Sequence, residues 1–236
     1  MIEISQKTIK SLRKALLGGL VVMLLAFFII ALRWGLADIY AYQAREYLET
    51  WYLGDQASLD ENWQNAHDSM QTALSIFPDH PEYLDQMGQI YEWQFYQSDF
   101  NGDEFNSILQ TALGFYHQAT AIRPDWPHSW ASVAFMKSRL GELDDEFYHA
   151  LQSSLTLGAN EPEVLSRLLE AVLPQWTQIP APRHELRNII LIKNLLMNKQ
   201  QSIKLAKHHQ VLAFLCLHFA TELGNACDSQ TNAINW

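Results

Sequence analysis

Two cysteines, ten glycines and eight prolines are all that 236 residues contain of the three types that most constrain a chain. So few cysteines exclude a disulfide-built scaffold. So little glycine and proline, beside 48% apolar residues, excludes collagen and a disordered polymer. Runs of Val, Ile and Thr are few outside residues 20–30, while Leu, Ala, Gln and Glu are plentiful, which points to an all-α chain. Catalytic signatures are missing too. There is no HExxH, P-loop, GxGxxG or GxSxG. "DFNGDEF" fails as a calcium loop, because Gly102 comes too early and position twelve is Gln110. The nine histidines are scattered. His208 and His209 point about 100° apart on a helix, a poor metal pair. His218, in an apolar run, is expected in the core. No catalytic residue, metal ligand or cofactor is therefore assigned, and the chain is not expected to be an enzyme.

Basic residues are scarce where acid is plentiful. Residues 33–182 hold six Lys and Arg against 22 Asp and Glu, a net of −16. Phosphate is repelled by such a body, which excludes nucleic acid as a partner. Residues 183–236 hold six basic against three acidic residues, a net of +3. Arg183, Arg187, Lys193, Lys199, Lys204 and Lys207 either dock on the acidic body, face an anionic surface, or form a solvated helix face.

The long apolar run is residues 15–32, "ALLGGLVVMLLAFFIIAL", without one charge. As a helix it spans about 27 Å, close to the thickness of a hydrocarbon core. Lys7, Lys10, Arg13 and Lys14 precede it, and only Arg33 follows before the acidic body. The positive-inside rule then places residues 1–14 in the cytoplasm and the rest outside. Trp34, Tyr40 and Tyr42 suit the outer headgroup region. A cleavable signal peptide is the competing reading, with Gly35-Leu36-Ala37 as its small-x-small site. Against it, the run exceeds a signal core of about 7–15 residues, and Arg33 and Trp34 intervene. Cys216 and Cys227 leave two outcomes: a disulfide, permitted in an oxidising compartment, or a buried Cys216 with a free Cys227.

"ALSIFPDHPEYL" at residues 73–84 returns as "ATAIRPDWPHSW" at residues 119–130. Ala73, Pro78, Asp79 and Pro81 fall on Ala119, Pro124, Asp125 and Pro127. The positions Leu84, Met87, Gly88, Tyr91, Ala112, Tyr116, Ala119 and Pro124 resemble a tetratricopeptide repeat, a helical hairpin with a period of about 34 residues. Small residues let two helices approach, large apolar ones fill the groove, and proline ends the second helix. The excess over that period is placed in a polar insertion at about residues 97–108, with Asn101-Gly102 as a turn. An earlier hairpin fits at Ala66, Met70, Ala73 and Pro78, its first helix being residues 33–53. Ser58 and Glu61 read as a capping box. A third runs from Pro127 to Pro162 with Gly158 as C-cap, and a fourth is broken by Pro174, Pro180 and Pro182. Two closing helices, residues 184–197 and 202–223, complete the expected fold. That fold is an N-terminal transmembrane helix (15–32), an acidic solenoid of hairpins (33–182) and C-terminal capping helices (183–236).

The resemblance implies that the first helix of each hairpin lines a concave face. Here it would display Glu82, Asp85, Gln89, Glu92, Trp93, His128, Phe135, Arg139, Glu163 and Glu170, with Ala131 and Ser166 between. An acidic groove of this kind suits a basic peptide segment. The layout of basic tail, single span, "RWGLADIYAYQAREYLETW" and acidic repeats resembles the VpsP family of polysaccharide biosynthesis proteins. It implies a protein–protein interaction scaffold tethered to the bacterial inner membrane by residues 15–32. Its domain would be periplasmic, and its partners would be membrane-embedded or periplasmic proteins of exopolysaccharide biosynthesis or export. A periplasmic, chaperone-like accessory of the secretion machinery is the alternative with the same layout.

Overall fold

The computed structural model describes residues 6–54, 57–94 and 102–228. Among these, every regular element is helical. The order is α1 (Gln6–Tyr52), α2 (Ala57–Ile76), α3 (Pro81–Gln94), α4 (Gly102–Ile122) and α5 (Pro127–Leu140). Next come α6 (Asp145–Leu157), α7 (Pro162–Val172), α8 (His184–His208) and α9 (Leu212–Leu223). Short 3₁₀ turns lie at Ala181–Arg183 and Gly224–Ala226.

α1 is one helix of 47 residues, about 70 Å long. Its early large apolar side chains, from Leu12 to Leu32, are all exposed. This helix is long and apolar enough to cross a membrane. From Ala37 onward its character changes. Ala37, Ala41, Ala44, Leu48 and Trp51 recur at helical spacing and are buried. The three alanines let α2 lie close, and α2 answers with Ala66, Met70 and Ala73.

The echoed stretches form the same link. In the first, Phe77 N–H donates to Ala73 O and His80 N–H to Phe77 O. In the second, Arg123 N–H donates to Ala119 O and Trp126 N–H to Arg123 O. A third link repeats the pattern, from Gly158 to Ser154 and from Glu161 to Gly158. Pro81, Pro127 and Pro162 then open α3, α5 and α7, where a missing N–H costs nothing.

α1 packs on α2, α3 on α4, and α5 on α6; α2–α3 and α4–α5 contacts join the pairs. α5 also packs on α7, α7 on α8, and α8 on α9. Two apolar clusters result. One fills the space among α1 to α4 around Trp51, Met70 and Met87. The other runs from α4 to α9 around Tyr116, Phe135, Phe147 and Trp176.

Several expectations need correction. Of the polar insertion, residues 97–101 lie outside the described residues, but Gly102–Ile108 are the opening turns of α4, and Ile108 is buried. Asp103 and Glu104 occupy the first turn, where their charge favours helix. The side chains of Ser58 and Glu61 lie outside the described residues. Gly158 does cap α6, its N–H donating to Ser154 O, but with φ −113° rather than a left-handed backbone. Glycine is required there because a Cβ would sit 2.9 Å from Pro127 and Val164 atoms. The left-handed cap is Gly141, φ 76°, after α5. The first break between the closing helices falls where it is expected, and a second one is added. The backbone leaves helical geometry at Asn198, whose side chain accepts from Gln201 N–H and restarts the helix. A second break falls at Gln210, which has positive φ. His218 is exposed against Phe214 rather than in the core. Cys216 and Cys227 are joined in a disulfide.

Candidate functional site

α1, α3, α5 and α7 enclose a groove with two connected lobes of about 490 and 560 Å³. Tyr52, Asp85, Gln89, His128 and Glu163 line both lobes. The links position these residues. Because Pro81, Pro127 and Pro162 start three helices after equivalent turns, the first turns of those helices bring Glu82, His128 and Glu163 to one side.

The first lobe is walled by Arg45, Leu48, Glu49, Glu82, Gln86, Arg123 and Trp126. Arg45 donates to Glu82 at 3.0 Å and to Asp38 at 2.9 Å, so its charge is spoken for. Arg123 lies over the Trp126 ring at 3.9 Å. Asp85 is buried and accepts from the Ser129 hydroxyl at 2.6 Å and the Gln89 amide at 2.8 Å. Burial raises its pKa, and these two hydrogen bonds hold it back.

The second lobe adds Glu92, Trp93, Ala131, Ser166, Arg167 and Glu170. Glu92 is buried, accepts from the Tyr116 hydroxyl at 3.0 Å, and forms an ion pair with Arg167. The Arg167 guanidinium also lies 3.8 Å over the Phe135 ring. Burial opposes its charge, but Glu92 more than compensates and raises its pKa. Glu170 is half-buried; burial raises its pKa, and Arg167 counteracts. Trp93 packs against Trp51 and Tyr52 at the rim.

Of the ten residues assigned to the concave face, Glu82 and Glu163 are exposed in the groove. Gln89, Trp93, His128 and Glu170 line it half-buried. Asp85 and Glu92 reach it only as buried floor groups, because Ser129 and Arg167 cover them. Phe135 is corrected outright: it is a core residue beneath Arg167. Arg139 lies 5.0 Å from the centre of the same ring and does not line the groove. Sequence reading misses Arg45, Glu49 and Tyr52 of α1, although residues 33–53 read as the first helix of a hairpin. Extending the same positional argument to α1 finds them. It also misses Arg167, which stands beside Ser166.

Once Arg45 and Arg167 are paired and Arg123 lies over Trp126, most of the charges left over are acidic. Among the described residues, the side chains of Glu49, Glu163 and Glu170 make no hydrogen bond or ion pair. With aromatic walls at Tyr52, Trp93 and Trp126, the groove suits a cationic, extended segment. Known protein-family models and curated proteins were both searched, and nothing matches.

Proposed function

We propose that the chain is a scaffold, tethered by α1 to the bacterial inner membrane, whose periplasmic domain is a tetratricopeptide-like solenoid holding a basic segment of a partner. Three equivalent links and successive helix pairs support the solenoid. Lys7, Lys10, Arg13 and Lys14 before the apolar run support the sidedness, and a disulfide suits an oxidising compartment. The observation that carries the binding role is the groove, where the unpaired carboxylates Glu49, Glu163 and Glu170 outnumber the one cation without an ion pair among the described lining residues, Arg123. Assignment to exopolysaccharide biosynthesis or export rests on the resemblance to the VpsP family.

A photo-reactive residue placed at Gln89 tests the proposal in cells. The expected result is a small set of crosslinked polysaccharide-assembly proteins, captured through basic segments and lost in a Glu163→Lys/Glu170→Lys variant. Crosslinks to many unfolded outer-membrane proteins instead would favour the chaperone-like accessory. Crosslinks that survive both charge reversals would remove the acidic groove from the account.

A further inference from the structure

α1 passes from its apolar run into the domain without a linker. The first groups past the run, Arg33 and Trp34, are held by the α2–α3 link. Arg33 donates to Ile76 O at 3.0 Å and lies over Phe77. The Trp34 ring sits 4.9 Å from Phe77 and 5.8 Å from His80. Wherever the membrane places Arg33 and Trp34, it also places this link.

The depth follows from length. The uncharged run of residues 15–32 covers about 27 Å, while a hydrocarbon core needs about 30 Å. Two more residues close the gap, and they are Arg33 and Trp34. Trp34 is suited to that boundary, and Arg33 has its donor met by a carbonyl. On the far side of α1, turned from the Ala37–Ala41–Ala44 face, an apolar stripe continues through Leu32, Leu36 and Ile39, all exposed. Beyond it that side becomes polar with Gln43 and Glu46. From Trp34 to Ile39 is about 7 Å, close to the thickness of one headgroup layer. The stripe ends where the layer ends.

We propose that the α2–α3 link and the Leu36–Ile39 side of α1 form a second membrane contact, seated in the interfacial region of the outer leaflet on either side of α1. This rests on α1 crossing the bilayer. The partner is a zwitterionic lipid interface, since Arg33 and the exposed Asp79 offer one charge of each sign and Asp38, in the same layer, is paired with Arg45. The seat fixes the tilt of the domain. It holds the groove residues Arg45 to Tyr52 about 18–28 Å along α1 beyond Arg33.

Both native cysteines are in the disulfide, so one introduced cysteine can be labelled selectively. The full chain carrying Asp79→Cys, Ile39→Cys or Leu53→Cys is labelled with a polarity-sensitive fluorophore. It is then reconstituted in zwitterionic phosphatidylethanolamine–phosphatidylcholine vesicles containing a headgroup spin label. The labels at 39 and 79 should be blue-shifted and lose more fluorescence to the spin label than the one at 53. A chain that floats with the vesicles but shows equal quenching at 79 and 53 overturns the seat alone. A chain that does not float overturns the tether and the seat with it.

Discussion

Gly88 illustrates how far a single residue constrains this chain. It faces Tyr116, and a Cβ there would lie 2.8 Å from the ring. Tyr116 is fully buried and tied through its hydroxyl to Glu92, so the ring cannot retreat. An exposed helical Gly→Ala gains about 1 kcal/mol. Gly88→Ala should instead lose about 1–2 kcal/mol to overpacking, read as a lower unfolding midpoint in detergent. The Glu92–Arg167 pair behaves likewise. Arg167→Leu strands a buried carboxylate and should cost about 3 kcal/mol, whereas Glu92→Gln with Arg167→Met should recover most of it. A double-mutant cycle on thermal unfolding measures the difference. Asp85 carries the opposite sign. Its folded pKa is raised by burial, so the native state loses stability as pH climbs from the ordinary carboxylate range through that raised value. Asp85→Asn should therefore match the wild type at acid pH and exceed it at neutral pH, by about 1 kcal/mol. Pattern alone placed Gly88 and Tyr116 on the two helices of one hairpin. It could not show that Asp85, Glu92 and Phe135 are covered, because Ser129 and Arg167 come from 44 and 75 residues away.

At the scale of elements, the α5–α6 link concentrates charge around one lysine. Lys137 is buried and paired with Glu142, Asp144 and Glu146 at 2.9–3.0 Å. Burial alone would lower its pKa, but the three carboxylates raise it overall. Asp144 also caps α6 by accepting from Phe147 N–H at 3.0 Å. Burial tends to raise the Asp144 pKa, yet Lys137 and Phe147 lower it. That contribution is present above the ordinary carboxylate value and lost as pH falls through the lowered one. Asp144→Ala should cost about 1–2 kcal/mol at neutral pH and progressively less on acidification. The disulfide joins residues 11 apart around the end of α9, and removing it by Cys216→Ala/Cys227→Ala should loosen the segment after Leu223. Faster hydrogen exchange there, with α3 to α6 unchanged, is the expected result. Helix starts were legible wherever proline marked them, at Pro81, Pro127 and Pro162. The breaks in α8 and before α9 were half legible. Asn198 falls where a break was expected, but Gln210 adopts a left-handed backbone that no local signal announces.

For the molecule as a whole, α1 carries the apolar run and the groove residues on one continuous helix, so a membrane crossed by that run would be joined to the groove without a linker. Its two halves were readable for different reasons. The first is uniformly apolar; the second alternates alanine and aromatic residues at helical spacing. What could not be read was how the end of the apolar run is tied to the domain, because that depends on Ile76 and Phe77 meeting Arg33 and Trp34. The central claim is that the groove-bearing domain stands outside the inner membrane. The most direct measurement fuses a reporter to Trp236 in two forms, one active only in the periplasm and one only in the cytosol. The account predicts signal from the periplasmic form alone. Signal from the cytosolic form alone would contradict it.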